Sequence, residues 1–287
     1  MAEVWRHARG EIDCTCGRLI GIVNATPDSF TDQGAHFGTE ASVARGHDQA
    51  AAGADIVEVG GESLRYKPAI DPEVEIARVT PVIQRLAREL DVPVAVDTFK
   101  PRVAEAAIAA GASILNDPTG LREPGMAEVA AAGRVGVVLS HYFGPPKVRP
   151  TSFPDVDVPV AVVDWALRAI EDAVAAGVDP ERIVVDPGVG LGKSPEQDLD
   201  LLHRLREVVV GVGRPVFVPI SNKKVIGAVT GALPKERIAG TAAGLGWSRL
   251  QGASIFRVHD GAFMREVLQM TEALADGAPA EWHWVAK

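Results

Sequence analysis

Polar side chains suited to binding a small molecule stand at the ends of short apolar runs along the chain. They are Asn24, Glu58, Glu62, Asp97, Asn116, Asp117, His141, Asp186, Ser221, Lys223, Arg257 and His259. Carboxylates and amides can accept and donate hydrogen bonds at the edge of a heterocycle, and cationic side chains can hold an anion. The sequence has no Glu-x-x-His spacing and no nucleophile elbow, so zinc and covalent catalysis are not expected. This set of residues predicts a shared polar pocket.

The segment 183–194, IVVDPGVGLGKS, looks at first like a phosphate-binding loop because an apolar run leads into the letters GKS. A nucleotide-binding P-loop requires a glycine where Pro187 stands, since its backbone N–H groups surround the phosphate. Proline has no N–H to donate. The carboxylate of Asp186, in contrast, can accept two parallel N–H bonds from an amidine-like ring edge. The segment therefore favours recognition of a pterin or purine.

Eight apolar runs rich in valine and isoleucine alternate with longer helical patterns, which is typical of parallel βαβ units. The predicted strands are 19–26, 55–61, 92–98, 113–119, 135–142, 182–188, 215–221 and 253–260. The pattern predicts an α/β protein with a single (β/α)8 TIM barrel over residues 1–287, with 1–18 as a short N-terminal extension or hairpin. A doubly wound sheet is the competing fold, but the first strand–helix turn lacks the Gly-x-Gly-x-x-Gly of dinucleotide sites. Strand carboxyl ends form the active site of such a barrel.

Composition excludes several classes of partner. A net charge of -9 argues against nucleic acid and anionic membranes, whose phosphates favour basic proteins. The longest apolar runs fall short of the roughly 20 residues of a membrane span, and the polar start MAEVWRHARGEIDC has no signal-peptide core. We therefore expect a cytoplasmic protein with a small-molecule substrate.

Ordered motifs over nearly the whole chain resemble the dihydropteroate synthase family. The matching segments are NATPDSFTDQG, GGESLR, VDTFKP, LNDPTG, DPGVGLGK, SNKKVIG and RVHD. The resemblance implies a transferase of folate biosynthesis that joins 6-hydroxymethyl-7,8-dihydropterin pyrophosphate to para-aminobenzoate, forming dihydropteroate and releasing pyrophosphate. It also implies a Mg2+ cofactor and a homodimer.

The resemblance also implies roles for individual residues. The expected pterin-binding residues are Asp97, Asn116, Asp186 and Lys223, and the expected pyrophosphate and acceptor residues are Asn24, Arg65, Ser221, Asn222, Arg257 and His259. Asn24 is the implied metal ligand. Catalysis is assigned to Asp97, Asp186, Lys223 and Arg257, because carboxylates stabilise a cation at the pterin carbon and cations stabilise departing pyrophosphate. Loops with Phe30 and Arg65 are expected to close and exclude water.

The sequence departs from the family pattern where the arylamine should bind. Leu64 replaces a threonine, Tyr66 and Lys67 alter the second loop, Asn222 replaces the arginine of Ser-Arg-Lys, and Leu191 stands where an aromatic is common. One interpretation is a working synthase in which Lys67 or Tyr66 compensates. The alternative is a diverged paralogue that binds a pterin but uses another amine or has little synthase activity.

Two further classes stay open. A pterin-dependent methyltransferase domain shares this kind of barrel but has no pyrophosphate site, so the joint presence of PDSF, DTFKP and RVHD argues against it. A non-catalytic pterin-binding protein would bind the pterin pyrophosphate and form no product with any amine.

Overall fold

The computed structural model describes residues 4–26, 38–64 and 66–277. The strands are β1 Val4–His7, β2 Gly10–Asp13, β3 Arg18–Asn24, β4 Ile56–Gly60, β5 Val94–Asp97, β6 Ile114–Asp117, β7 Gly136–Ser140, β8 Ile183–Asp186, β9 Phe217–Val218 and β10 Ile255–Val258. The helices are α1 Thr39–Ala51, α2 Pro72–Glu89, α3 Pro101–Ala109, α4 Met126–Gly133, α5 Val158–Ala175, α6 Pro195–His203, α7 Leu205–Val212, α8 Lys224–Thr230, α9 Ile238–Leu250 and α10 Gly261–Asp276.

The eight strands β3 to β10 form one parallel sheet that closes into a barrel. Their order in space is β8, β7, β6, β5, β4, β3, β10 and β9. A bridge between Val185 and Val216 joins the two edges, and Val185 N donates a hydrogen bond of 3.1 Å to Pro215 O. Helices follow the strands around the outside. The predicted (β/α)8 barrel is therefore confirmed.

The seventh barrel strand is shorter than its sequence suggests. The apolar run 215–221 predicts seven residues, but β9 contains only Phe217 and Val218. Pro215 and Pro219 flank it, and neither can donate a backbone hydrogen bond to a neighbouring strand. The backbone is thus released early from the sheet, and residues 219–223 turn into the carboxyl end of the barrel.

An antiparallel hairpin of β1 and β2 covers the amino end of the barrel. Trp5 is completely buried against interior side chains such as Ile20, Ile114 and Phe217. Its indole Nε1 donates a hydrogen bond of 2.8 Å to Arg182 O. Because this end is filled by apolar side chains, any polar cavity must lie at the opposite end.

None of the helices in the described ranges is long and apolar enough to span a bilayer.

Candidate active site

A cavity of about 390 Å3 opens at the carboxyl ends of the strands. Seven of the ten residues to which the family resemblance assigns roles line it: Asn24, Asp97, Ser221, Asn222, Lys223, Arg257 and His259. Asn116 and Asp186 are buried at 3% and 2% exposure and connect to the lining through their neighbours. Arg65 of the second loop and Phe30 of the first loop lie outside the described residues.

The floor of the cavity is a network of acidic, amide and guanidinium groups on neighbouring strands. Arg257 Nε lies 2.8 Å from Glu58 Oε1, and Arg257 Nη2 lies 3.1 Å from Asp97 Oδ2. Asn116 Nδ2 donates a hydrogen bond of 2.8 Å to Glu58 Oε2. Burial raises the pKa of the carboxyls of Glu58 and Asp97, and the adjacent guanidinium opposes that rise.

Glu58 is a site residue whose role the sequence leaves unassigned. The signal that could have found it is strand periodicity, because residues two apart on β4 face the same side. Ile56 faces the barrel interior, so Glu58 must face it too and bring a carboxylate into the core. An acid at such a position needs polar partners, and Asn116 and Arg257 supply them.

Asp186 is held rigidly at the end of β8. Its Oδ1 accepts a hydrogen bond of 2.7 Å from Gly188 N, and its Oδ2 accepts one of 3.1 Å from Ser140 Oγ. Gly188 has φ +76°, and a Cβ there would lie 1.8 Å from His141 O, so this tight turn requires glycine. Burial raises the pKa of Asp186, and the positive charge of Lys223 opposes that rise.

The GKS letters serve the structure of this turn and not a phosphate. Lys193 is buried, and its ammonium donates a hydrogen bond of 2.8 Å to Gly188 O. The Ser194 hydroxyl accepts a hydrogen bond of 3.2 Å from Gln197 N, while Gln197 Oε1 accepts one of 3.1 Å from Ser194 N. This reciprocal pair is the capping box of α6. The P-loop interpretation is therefore excluded by geometry as well as by Pro187.

Lys223 extends its side chain across Gly190. A Cβ on Gly190 would lie 3.2 Å from Lys223 Cδ, so the absent side chain lets the lysine pass. Burial lowers the pKa of Lys223, and the negative charge of Asp186 opposes that fall. No described residue accepts a hydrogen bond from its ammonium, which leaves this donor for a ligand.

Ser221 and His259 form a polar pair at one side of the cavity. Ser221 Oγ lies 2.8 Å from His259 Nδ1, and this contact fixes the orientation of the ring. The carbonyl of His259 accepts hydrogen bonds from Arg45 Nη2 at 2.6 Å and Gln49 Nε2 at 3.2 Å. The imidazole, the Arg257 guanidinium and Asn24 line the same cavity.

The departures from the family pattern gather in this same cavity. Leu64, Tyr66, Leu191 and Asn222 all line it, although they are far apart in sequence. The Lys224 ammonium, also in the lining, lies 5.5 Å from the centre of the Tyr66 ring. A cation over a tyrosine face is a favourable contact, so these two residues form a different surface from the arginine and aromatic of the family pattern.

Glu62, at the start of the second loop, is neutralised by two lysines. The Lys100 ammonium lies 2.6 Å from Glu62 Oε2 and 2.7 Å from Glu75 Oε2, and it donates to Ile70 O at 2.7 Å. Lys147 also pairs with Glu62. These contacts tie the loop after β4 to α2 and α3 at the rim of the cavity.

Comparison with known proteins agrees with this geometry. The sequence pattern of a family described as pterin binding enzyme matches residues 20–259. The chain is 37% identical to dihydropteroate synthase of Bacillus subtilis, over 89% of this chain and 88% of the relative. It is 38% identical to a Mycobacterium leprae protein named inactive dihydropteroate synthase 2, over 92% of this chain and 95% of the relative.

Solved structures give the same result. The structure of Xanthomonas albilineans dihydropteroate synthase with 4-aminobenzoic acid superposes with a TM-score of 0.87 at 39% identity. The match covers 97% of this chain and 100% of that one. Both the length of the family match and these identities place the chain without ambiguity: it belongs to the pterin-binding enzyme family, together with the dihydropteroate synthases.

Proposed function

We propose that this protein is a dihydropteroate synthase, which condenses 6-hydroxymethyl-7,8-dihydropterin pyrophosphate with para-aminobenzoate. The observation that carries the proposal is the meeting of two kinds of group at one cavity. Asp97 lines the cavity and, with the buried Asn116 and Asp186, supplies hydrogen-bond acceptors, while Ser221, Arg257 and His259 supply cationic or hydroxyl groups to the same cavity. The first set suits a pterin and the second suits pyrophosphate.

The acceptors match the hydrogen-bonding groups of a pterin. A dihydropterin presents amine and ring N–H donors along one edge and a carbonyl oxygen beside them. The carboxylates of Asp97 and Asp186 accept from such donors, while the Lys223 ammonium is a donor for the carbonyl or a ring nitrogen. Because Asp186 is fixed by Gly188 N and Ser140 Oγ, its acceptors are oriented before the ligand arrives.

The reaction requires charge stabilisation more than proton transfer. The bond between the pterin methylene carbon and pyrophosphate oxygen breaks, the arylamine nitrogen bonds to that carbon, and the amine then loses a proton to solvent. The carboxylates of Asp97 and Asp186 stabilise positive charge that develops on the pterin, and Arg257 and His259 stabilise the leaving anion. An arylamine is uncharged near neutral pH, so the mechanism needs no general base.

A magnesium ion fits the anion side of the cavity. Mg2+ is usually held by one or two protein oxygens together with substrate phosphates and water. Asn24 lines the cavity, and its amide oxygen would be such a ligand. Within the described ranges no three His, Cys, Asp or Glu side chains cluster as an all-protein cage, which suits an ion held chiefly by pyrophosphate. When bound, the ion supplies further neutralisation of the leaving group.

A diverged paralogue with little synthase activity is the second candidate. It is favoured by the four substitutions that line the acceptor side of the cavity, Leu64, Tyr66, Leu191 and Asn222. The similarity to the mycobacterial relative named inactive supports it as well. Asn222 cannot form the bidentate or stacking contact of an arginine. This candidate retains the pterin side, where Asp97, Asn116, Asp186 and Lys223 are all present.

We further propose a homodimer that forms through α9 and α10. These helices pack together, yet Leu250 is 52% exposed on α9 and Met270 is 59% exposed on α10. Exposed apolar side chains on two helices that pack together favour burial against a second copy. A cytoplasmic location stays a prediction.

The deciding experiment mixes the protein, Mg2+ and 6-hydroxymethyl-7,8-dihydropterin pyrophosphate with and without para-aminobenzoate, and follows pyrophosphate and dihydropteroate. Rapid dihydropteroate formation supports the synthase. Pyrophosphate release without dihydropteroate supports the paralogue with another acceptor. Tight pterin binding with no release under any amine identifies a non-catalytic binding protein, and no pterin binding overturns the proposal.

A further inference from the structure

Glu58 is a buried acid whose place in the barrel calls for an explanation. Its side chain is 1% exposed, and it follows Ile56 on the interior face of β4. Beside it in register are Ile22 on β3 and Ala95 on β5, both apolar. A carboxylate at this depth costs free energy unless polar groups contact it, so its partners indicate its role.

Two polar groups each contact one oxygen of Glu58. Asn116 Nδ2 donates to Oε2 at 2.8 Å, and Arg257 Nε lies 2.8 Å from Oε1. In its charged form, which the Arg257 guanidinium favours, the Glu58 carboxylate only accepts hydrogen bonds, so the atom of Asn116 that faces it is the NH2. The oxygen of the Asn116 amide is therefore turned away from Glu58.

That oxygen has unused hydrogen-bonding capacity. Asn116 Oδ1 is buried and accepts no hydrogen bond from any residue in the described ranges. Glu58 Oε1 and Arg257 Nε form an ion pair but lack the alignment of a hydrogen bond. Buried polar groups almost always have partners, so the unpaired Asn116 Oδ1 indicates that a bound ligand completes the network.

We propose that Glu58 is a positioning residue of the pterin site. It orients the Asn116 amide so that Oδ1 accepts a hydrogen bond from an N–H of the pterin ring, and it holds Arg257 beside Asp97. Glu58 acts through these two neighbours and does not itself bind the pterin. The inference rests on the proposed function, because the ligand that supplies the N–H is the pterin.

A reciprocal exchange of donor and acceptor tests this role. Glu58→Gln places an amide where Asn116 requires an acceptor-only group, so the Asn116 amide is free to turn its NH2 towards the pterin. Asn116→Asp places two carboxylates face to face. The double variant Glu58→Gln with Asn116→Asp restores one donor and one acceptor across the contact, keeps the total charge, and leaves a second carboxylate oxygen for the pterin.

The measurement is the dissociation constant for 6-hydroxymethyl-7,8-dihydropterin by calorimetry, with circular dichroism to verify folding. Each single variant is expected to bind about tenfold or more weakly, the size expected for one unmatched buried hydrogen bond. The double variant is expected to return to within about threefold of the wild type, since the two changes are coupled. If the dissociation constant of the double variant rises by the product of the two single-variant factors, Glu58 does not orient Asn116.

Glu75→Gln is the matched control. Glu75 is also 1% exposed, but its ion pair is with Lys100. Its neutralisation should leave pterin affinity within about twofold of wild type, and Asn116→Asp added to it should show no rescue. Rescue in this background would overturn the inference, because loss of any buried charge would then suffice.

Neutron diffraction of the wild-type protein gives a measurement that needs no variant. Deuterons on the Asn116 atom facing Glu58 support the inference, and deuterons on the opposite atom overturn it. The proposed function fails separately: wild-type protein that does not bind the pterin overturns both proposals, whereas wild-type binding with multiplying losses overturns the role of Glu58 alone.

Discussion

At the scale of single residues, burial combined with fixed hydrogen bonds decides what each polar group can do. Asp186 is ready to accept from a ligand because backbone and hydroxyl donors hold its carboxylate. Lys223 keeps an unused ammonium among the described residues, and burial lowers its pKa. His141, which also ends a strand, is instead packed against Phe143 and Trp165 behind the turn.

Asn222 provides a direct test of the acceptor side. The residue has φ +57°, a left-handed conformation that asparagine tolerates and that costs arginine about 1 kcal/mol. Asn222→Arg should lower the KM for para-aminobenzoate several-fold in steady-state assays, because a guanidinium can pair with the acceptor carboxylate. Asn222→Gly keeps the backbone conformation and should leave that KM unchanged. Equal KM changes in the two variants would assign the effect to the backbone.

His141 provides a pH-dependent test of burial. Burial lowers its pKa to about 2, so the folded protein keeps this histidine neutral while the unfolded chain binds a proton below its ordinary value of 6.5. Stability contributed by this site is therefore lost as pH falls through 6.5, by about 2 kcal/mol between pH 7.5 and pH 5.

The variant His141→Phe removes that loss and leaves the other titrating groups in place. Its stability relative to wild type, measured by urea unfolding, should improve by about 2 kcal/mol on going from pH 7.5 to pH 5. A constant overpacking cost cancels in this difference. A relative stability that does not change with pH would mean that the folded protein protonates His141.

At the scale of elements, the loop after β4 is positioned by a buried ion network. Lys100, at the N-terminus of α3, contacts Glu62 on the loop and Glu75 on α2. The side chains of these three residues are 10%, 5% and 1% exposed, so solvent screens their attraction little. Glu62, Ser63 and Leu64 of this loop line the cavity, so this network supports the acceptor side.

Lys100→Met should lower the free energy of unfolding by about 3 to 5 kcal/mol, because the buried Glu75 loses its cation and Glu62 keeps only Lys147. Arg102→Ala is the control on the same helix. Arg102 pairs with Glu73 on the same partner helix, but the two side chains are 72% and 60% exposed. That variant should change stability by less than about 1 kcal/mol in chemical unfolding. Similar losses of stability in both variants would show that burial does not decide how much these ion pairs contribute to the free energy of unfolding.

At the scale of the whole molecule, the barrel separates its two ends. The hairpin of β1 and β2 fills the amino end with apolar side chains, and the cavity occupies the carboxyl end. The exposed apolar side chains of α9 and α10 lie on the outer helical layer. A dimer through these helices would therefore leave the barrel interior unchanged.

Leu250→Glu tests the proposed dimer. A charge at this 52% exposed position should separate the copies, so sedimentation at micromolar concentration should give a monomer where the wild type gives a dimer. Val74→Glu, at a 45% exposed position on α2, should leave the dimer intact. Pterin affinity should be the same in all three proteins. A wild-type monomer, or an undisturbed dimer in Leu250→Glu, would contradict this assembly.

The sequence by itself determined the barrel and the place of its polar end. Alternating strand and helix patterns specify parallel βαβ units, and strand ends bring residues as distant as Asn24, Asp97 and His259 to one side of the sheet. The same alternation predicts eight barrel strands, and the structure contains eight. The sequence pattern overestimates the length of β9. The run 215–221 is largely apolar, but Pro215 and Pro219 within it cannot donate backbone hydrogen bonds to a neighbouring strand.

Only the tertiary structure decided which of these residues contact one another. Glu58 lies between Asn116 and Arg257 because three strands place those side chains at one depth, a relation that spacing along the chain does not contain. The engagement of Glu62 by Lys100 and Lys147 has the same origin. Charge pairing depends on distances of about 3 Å between residues far apart in sequence, and the fold alone fixes such distances.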